Sequence, residues 1–148
     1  MLETCTRRLE FDAAHRVHEH GGKCQTLHGH RYAAEITCQA DEMTAEGFVI
    51  DFSIVKELVG GWIDEWIDHT TILDMHDPLA GPLRDQFIAL EMPRKLVVLD
   101  NEPTAEHIAA LLFQKATDLL EEHHVQVVRV RLYETPNCWA DCSAQGEA

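Results

Sequence analysis

The sequence predicts a single α+β domain over residues 1–148, built as an antiparallel β-sheet with two main helices on one face. Apolar residues alternate along two early stretches, Leu9, Phe11 and Ala13 in one and Tyr32, Ala34, Ile36 and Cys38 in the other. That is the period of a half-buried strand. Two later stretches change to helical spacing, with Ile54, Leu58, Trp62 and Trp66 in the first and Ile108, Leu111, Leu112, Leu119 and Leu120 in the second. No repeat, low-complexity run or linker divides the 148 residues, a length that buries a real core without staples. Strands paired with amphipathic helices resolve most simply as one sheet with its helices on one side.

The elements follow in order. The first strand is expected over residues 2–15, ending at His15, and Val17 to Gln25, with Gly21 and Gly22, forms a loop. The second strand, His28 to Ala40, pairs antiparallel with the first, and 41–47 is a turn. Phe48 to Phe52 leads into Ser53, the expected N-cap of a helix over Ile54–Ile67. That helix carries a second apolar stripe, Val55, Val59, Ile63 and Ile67, so its apolar face is wider than one subunit's sheet needs. Gly60-Gly61 is its weak point, and its end delivers Asp68-His69 to a loop. Residues 70–95, with three prolines and little periodicity, are expected to be an irregular connection with at most a short helical turn. Lys95 to Asp100 is a short strand. Thr104 caps a second helix through about Glu122, with Glu106 in its first turn, where a carboxylate suits the positive helix end. Val125 to Glu134 is the last strand, ended by Pro136.

Composition excludes several functions. A net charge of −14 opposes binding to nucleic acid or to an anionic membrane surface, both of which need clustered Lys and Arg. It leaves room for a small anionic substrate in a locally positive pocket. Arg16, Lys23 and Arg31 are equally readable there as phosphate contacts or as solvated surface charges. No run approaches the roughly 18 apolar residues of a membrane span, and the first eight residues lack a signal-peptide core, so a cytoplasmic protein is expected. Five cysteines, an odd number, point to reduced thiols rather than a disulfide framework.

The chemistry centres on Cys24-Gln25-Thr26-Leu27-His28-Gly29-His30. Side chains two apart on a strand share a face, so His28 and His30 form half a metal site, with Gly29 leaving room between them. A lone His-x-His is commonly incidental. His15, at the end of a neighbouring strand, supplies a third imidazole, and three nitrogens with an open position are the donor set of catalytic zinc. Cys24 lies in a loop near that set, either as an inert thiol or as a reactive one. Asp68-His69 is by default a surface pair, yet beside a thiol it can move protons near neutral pH. Glu134 closes an apolar strand before Thr135-Pro136, from where a carboxylate can accept two parallel hydrogen bonds from a guanidine-like ring edge. His18 and His20 read as solvent-exposed loop residues.

Together these segments resemble the 6-pyruvoyltetrahydropterin synthase and 6-carboxytetrahydropterin synthase family. The matching pieces are Phe11-x-Ala13-Ala14-His15, Cys24-x-x-x-His28-Gly29-His30, Phe48-Val49-Ile50-Asp51-Phe52, Asp68-His69, Pro103-Thr104-x-Glu106 and Glu134-Thr135-Pro136, in order along most of the chain. The resemblance implies the tunnelling fold, in which antiparallel sheets of several subunits, six in all, close into barrels with active sites between subunits. It implies that His15, His28 and His30 hold Zn2+, that Cys24 is the general base, and that Asp68 and His69 are its acid/base partner. Glu134 becomes the pterin anchor, with Thr104 and Glu106 beside it. The implied substrate is 7,8-dihydroneopterin triphosphate. In the carboxy branch its side chain is cleaved to 6-carboxy-5,6,7,8-tetrahydropterin, acetaldehyde and triphosphate, on the route to queuosine and other 7-deazapurines. In the pyruvoyl branch triphosphate is eliminated on the route to biopterin. The Cys24-to-His30 spacing and the short chain favour the carboxy branch. Two features depart from the pattern: His107 stands where asparagine is expected, and the 74–94 connection is long. The rival readings are a metal-independent thiol hydrolase using Cys24, His69 and Asp68, and a non-catalytic binding module that zinc stabilises.

Overall fold

A computed structural model describes residues 2–94 and 96–145. Its order is β1 (Thr4–His15), β2 (His28–Gln39), α1 (Phe52–Val55), a π-helical turn (Lys56–Gly60), α2 (Gly61–Trp66), β3 (Thr70–Asp74), α3 (Ala80–Ala89), β4 (Leu96–Leu99), α4 (Ala105–Leu120), β5 (Gln126–Thr135) and β6 (Cys138–Ser143). The six strands form one sheet in the order β4-β3-β1-β2-β5-β6. Lys95 and the chain's end beyond 145, which the expected strand and the 1–148 domain included, lie outside the described residues.

The long β1–β2 ladder is antiparallel and pairs Thr4 with Gln39 at one end and His15 with His28 at the other. Residues directly opposite in such a ladder project to the same face. Leu9, Phe11 and Ala13 therefore share a face with Tyr32, Ala34 and Ile36, and this face is the core. The stripe Val55, Val59, Ile63 and Ile67 packs onto it, joined by Ile108, Leu112, Ala116 and Leu120 of α4 and by Val130 and Leu132 of β5. The other face is charged. Arg8 pairs with Glu10 and Glu35, Arg31 with Glu10 and Asp12, and Arg131 with Asp141.

Several expectations are corrected. The sheet is mixed: β3 runs parallel to β1, and β4 parallel to β3. Both parallel strands are reached through helical crossovers, the connection that parallel pairing requires. Residues 70–94 are not an irregular connection, because they hold β3 and the ten-residue α3. Thr70-Thr71-Ile72-Leu73-Asp74 is buried at four of five positions, so it lacks the alternation that marks a half-exposed strand. There is accordingly a third helix beside the two expected. The first helix begins at Phe52 and is capped by Asp51, whose carboxylate accepts from the Ser53 N–H at 2.8 Å, so Ser53 is not the cap. The weak point at Gly60-Gly61 coincides with the end of the π-helical turn, not with a break. The second stripe is buried in the core, whereas the first, Ile54, Leu58, Trp62 and Trp66, stays half-covered, with Trp66 57% exposed. Pro136 sits in a turn rather than ending the sheet, and β6 follows it.

Thr104 caps α4 as expected, its side chain accepting from the His107 N–H. All five cysteines are free thiols. Among the described residues no helix is long and apolar enough to cross a membrane.

Candidate active site

The β1–β2 register assembles the site. His15 stands opposite His28 and Ala13 opposite His30, so all three imidazoles emerge on the core face at the end of the ladder. A one-residue slip would turn His28 and His30 to the charged face. The ring centroids lie 4.7, 4.8 and 5.1 Å apart, and one nitrogen of each ring falls within 4.8 Å of the other two. Gly29 does not make room between the rings. A Cβ there would meet the Ala13 carbonyl at 3.3 Å, so glycine admits the neighbouring backbone instead.

Hydrogen bonds set the tautomers. His15 Nδ1 donates to the Pro103 carbonyl at 2.7 Å and His28 Nδ1 to the Thr26 carbonyl at 2.6 Å. Each leaves its Nε2 lone pair free, which is how outer partners orient metal-binding histidines. The Nε2 atoms of His15 and His30 are buried without a hydrogen-bond partner. Burial pushes both rings below the ordinary histidine pKa, keeping them neutral, the form that ligates metal. Two unpaired buried nitrogens, with the His28 ring converging beside them, fit a metal ion, and these residues are able to hold one. The Tyr32 ring, fully buried, stands edge-on to His15 and His30 and holds them from below.

Glu134 reaches the same place, its carboxylate 3.4 Å from His30 Nε2 and 4.0 Å from His15 Nε2. Cys24 lies in a 3-10 turn, Lys23–Gln25, tied back by Val17 N–H donating to the Cys24 carbonyl at 2.8 Å. A cavity of about 300 Å³ is lined by His15, Cys24, Thr104, Glu106, Glu134 and Trp139, among others. Five of the nine residues singled out from sequence therefore share one pocket, and His28 and His30 adjoin it through the ring cluster.

Asp68 and His69 form a second group. His69 Nδ1 donates to Asp68 Oδ2 at 2.7 Å, and Asp68 Oδ1 accepts from the Asp12 N–H at 2.8 Å. Burial acts to raise the Asp68 carboxyl, but the bonds from Asp12 and His69 outweigh it and hold the group below the usual carboxylate range. His69 adopts φ 60°, a left-handed conformation that costs a non-glycine residue about 1 kcal/mol, and its N–H donates to the Asp12 carbonyl at 2.7 Å. The His69 side chain is 66% exposed and opens on a different cavity, shared with Asp12, His30 and Arg31. Within one chain Cys24 and His69 do not line a common pocket, so a Cys-His-Asp hydrolase triad is not assembled there.

Three residues read as bland in the sequence have definite places. Arg16 forks onto Asp77 at 2.7 and 2.5 Å, and is thereby an internal clamp rather than a free phosphate contact. His18 is not a solvated loop residue, because it contacts Glu102 and is mostly enclosed. His107 Nδ1 donates to the Glu102 carbonyl at 2.7 Å, closing the turn before α4 in place of the expected asparagine. No local pattern marks Asp74, Asp77 or Glu102; they are found only once β3 is known.

A pocket holding a thiol, a carboxylate and one imidazole, with two more imidazoles adjoining it, lies on a curled mixed sheet and is able to hold a metal ion. The family model described as 6-pyruvoyl tetrahydropterin synthase matches residues 4–145, and the chain belongs to that family. Among curated relatives, the 6-carboxy-5,6,7,8-tetrahydropterin synthase of Rickettsia bellii is 44% identical over 138 residues, covering 93% of this chain and 97% of the relative. The protein of that name from Aquifex aeolicus is 32% identical over 92% of this chain and 94% of its own. Among solved structures, an uncharacterised protein of Wolinella succinogenes superposes with a TM-score of 0.87 at 24% identity, covering 98% of this chain and 99% of that one. The Caenorhabditis elegans 6-pyruvoyl tetrahydropterin synthase superposes with a TM-score of 0.68 at 20% identity, covering 98% and 97%. These likenesses establish the tunnelling fold.

Proposed function

We propose that the protein converts 7,8-dihydroneopterin triphosphate to 6-carboxy-5,6,7,8-tetrahydropterin, acetaldehyde and triphosphate, as a zinc-dependent lyase on the route to queuosine and other 7-deazapurines. The observation that carries this reading is the 44% identity, across 97% of its length, to a relative named 6-carboxy-5,6,7,8-tetrahydropterin synthase. The joint presence of His15, Cys24 and Glu134 at one pocket, with His28 and His30 adjoining it, supports it chemically.

His15, His28 and His30 would hold Zn2+, which when bound supplies Lewis-acid polarisation of the substrate's side-chain oxygens. Cys24, at the wall of the same cavity, takes a proton from the substrate side chain. Glu134 accepts hydrogen bonds from the guanidine-like edge of the pterin, and Thr104 and Glu106 at the start of α4 border the ring. Asp68 orients His69 through the 2.7 Å hydrogen bond, so the ring presents its other nitrogen for proton delivery. Because Cys24 and His69 open on different cavities, the complete site takes His69 from a second copy of the chain. That makes the active protein a homo-oligomer, in this family a hexamer. The half-covered stripe ending in Trp66 is available for such contacts.

The test is substrate consumption by zinc-loaded and by chelated protein. The proposal expects turnover with zinc and its loss on chelation. Unchanged turnover after chelation, or none with zinc in folded protein, overturns it.

A further inference from the structure

One residue before Pro103, whose carbonyl fixes His15, the chain gathers a second group of metal-ligating side chains that the proposed reaction does not use. His18 comes from the β1–β2 loop, Asp74 from the last position of β3 and Glu102 from the turn before α4. One donor atom of each lies within 4.8 Å of the other two. The side chains of His18, Glu102 and Asp74 are only 14%, 18% and 10% exposed. His18 Nδ1 and Glu102 Oε1 are in direct contact, shielded from solvent.

Two carboxylates meet in an enclosed place, with the His18 ring against Glu102 and the His76 ring against Asp74, and a cation between them would offset their charge. Arg16, whose charge acts on Glu102 from a distance, is forked onto Asp77. Asp74 accepts from the His76 N–H and ring at its Oδ1, and Glu102 from the His18 N–H at its Oε2, which fixes both carboxylates in place. One imidazole nitrogen and two carboxylate oxygens form a donor set for a divalent transition cation such as Zn2+ or Mn2+.

We propose that His18, Asp74 and Glu102 form a second divalent-cation site, separate from the three-imidazole cluster. Its ion ties the β1–β2 loop to β3 and to the start of α4. The consequence falls on Cys24, because that loop is closed on itself: Val17 N–H donates to the Cys24 carbonyl, and Gln25 Nε2 to the His18 carbonyl at 3.0 Å. The second ion is thus a clamp on the segment that carries the thiol.

The test counts metal by elemental mass spectrometry on the full-length protein after loading with Zn2+ alone or Mn2+ alone and desalting. With at least one of the two metals, the wild type should retain two ions per chain. Glu102→Gln, which keeps the acceptor for the His18 N–H, should retain one; His28→Ala should also retain one, and the double variant none. One ion per wild-type chain with both metals, unchanged in Glu102→Gln, overturns the proposal and leaves the group as a direct His18–Glu102 contact beside Asp74. Two ions persisting in Glu102→Gln also overturn it. Anomalous diffraction from wild-type crystals grown with the metal is independent of whether the variants fold: a peak between the three side chains is expected, and its absence refutes the site. None of these readouts depends on turnover, so the synthase reading and this one fail separately.

Discussion

Replacing His15 and His28 separately by alanine distinguishes what each imidazole does for the fold from what it does for the chemistry. His15 is 2% exposed and donates to the carbonyl of buried Pro103. His15→Ala strands that carbonyl at about 1–3 kcal/mol. It also opens a hole whose cost is on the order of 2–4 kcal/mol. In metal-free protein it removes a buried, unpartnered Nε2, recovering about 1–3 kcal/mol. The balance is a loss of about 2–4 kcal/mol, which in a domain of this size lowers Tm by roughly 4–15 °C. His28 is only half-buried, and its partner is the carbonyl of exposed Thr26, so His28→Ala costs about 1 kcal/mol or less. Thermal melts of both variants in chelator should therefore differ clearly. Turnover by the metal-loaded proteins should be lost in both, by more than about 100-fold, since even the outer partners of metal ligands are worth 10–100-fold. Equal damage to both melts would refute the burial argument, and full turnover by His28→Ala would refute the three-imidazole site.

Other outcomes follow from the same geometry. Cys24→Ala should leave the metal-free melt within about 1 kcal/mol of wild type while lowering kcat by about 10²–10⁴-fold, the usual worth of a positioned base, as steady-state kinetics will read. Glu134→Gln removes a charged acceptor worth about 1.5–3 kcal/mol, so kcat/KM should fall by roughly 10–100-fold, with most of the change in KM. Stability of the metal-free protein should decline as pH falls below about 6.5: burial depresses His15 and His30 in the folded state, so there the unfolded chain takes up protons that the folded chain refuses. Melts between pH 8 and 5 check this, and a Tm flat through that window contradicts it. Asp68, held low in the fold, adds a loss in the same direction at more acid pH.

How much was legible from sequence depended on periodicity. β1, β2 and α4 were found because each has one wet and one dry face, and the pairing that brings His15 to His28 and His30 followed from their antiparallel placement. β3 was missed because a parallel strand covered on both sides carries no alternation, and α3 because its pattern is barely amphipathic. That omission concealed the parallel half of the sheet, and with it Asp74 and Asp77, which gain their neighbours only through long-range packing. Thr104 was recognisable as a cap by local chemistry alone. Asp51, two residues before Ser53, was not, since both residues are good caps and only geometry chooses between them. The site residues were readable because strand register and loop spacing are local, whereas the separation of Cys24 from His69 depends on how the whole sheet curls.

The most direct test of the central claim is mass-spectrometric identification of the products formed from 7,8-dihydroneopterin triphosphate by the zinc-loaded protein, with Cys24→Ala as control. The account predicts 6-carboxy-5,6,7,8-tetrahydropterin together with acetaldehyde and triphosphate, with both the pterin product and acetaldehyde formed at least about 100-fold more slowly by Cys24→Ala. A 6-pyruvoyl product without acetaldehyde would contradict it and assign the chain to the other branch of its family.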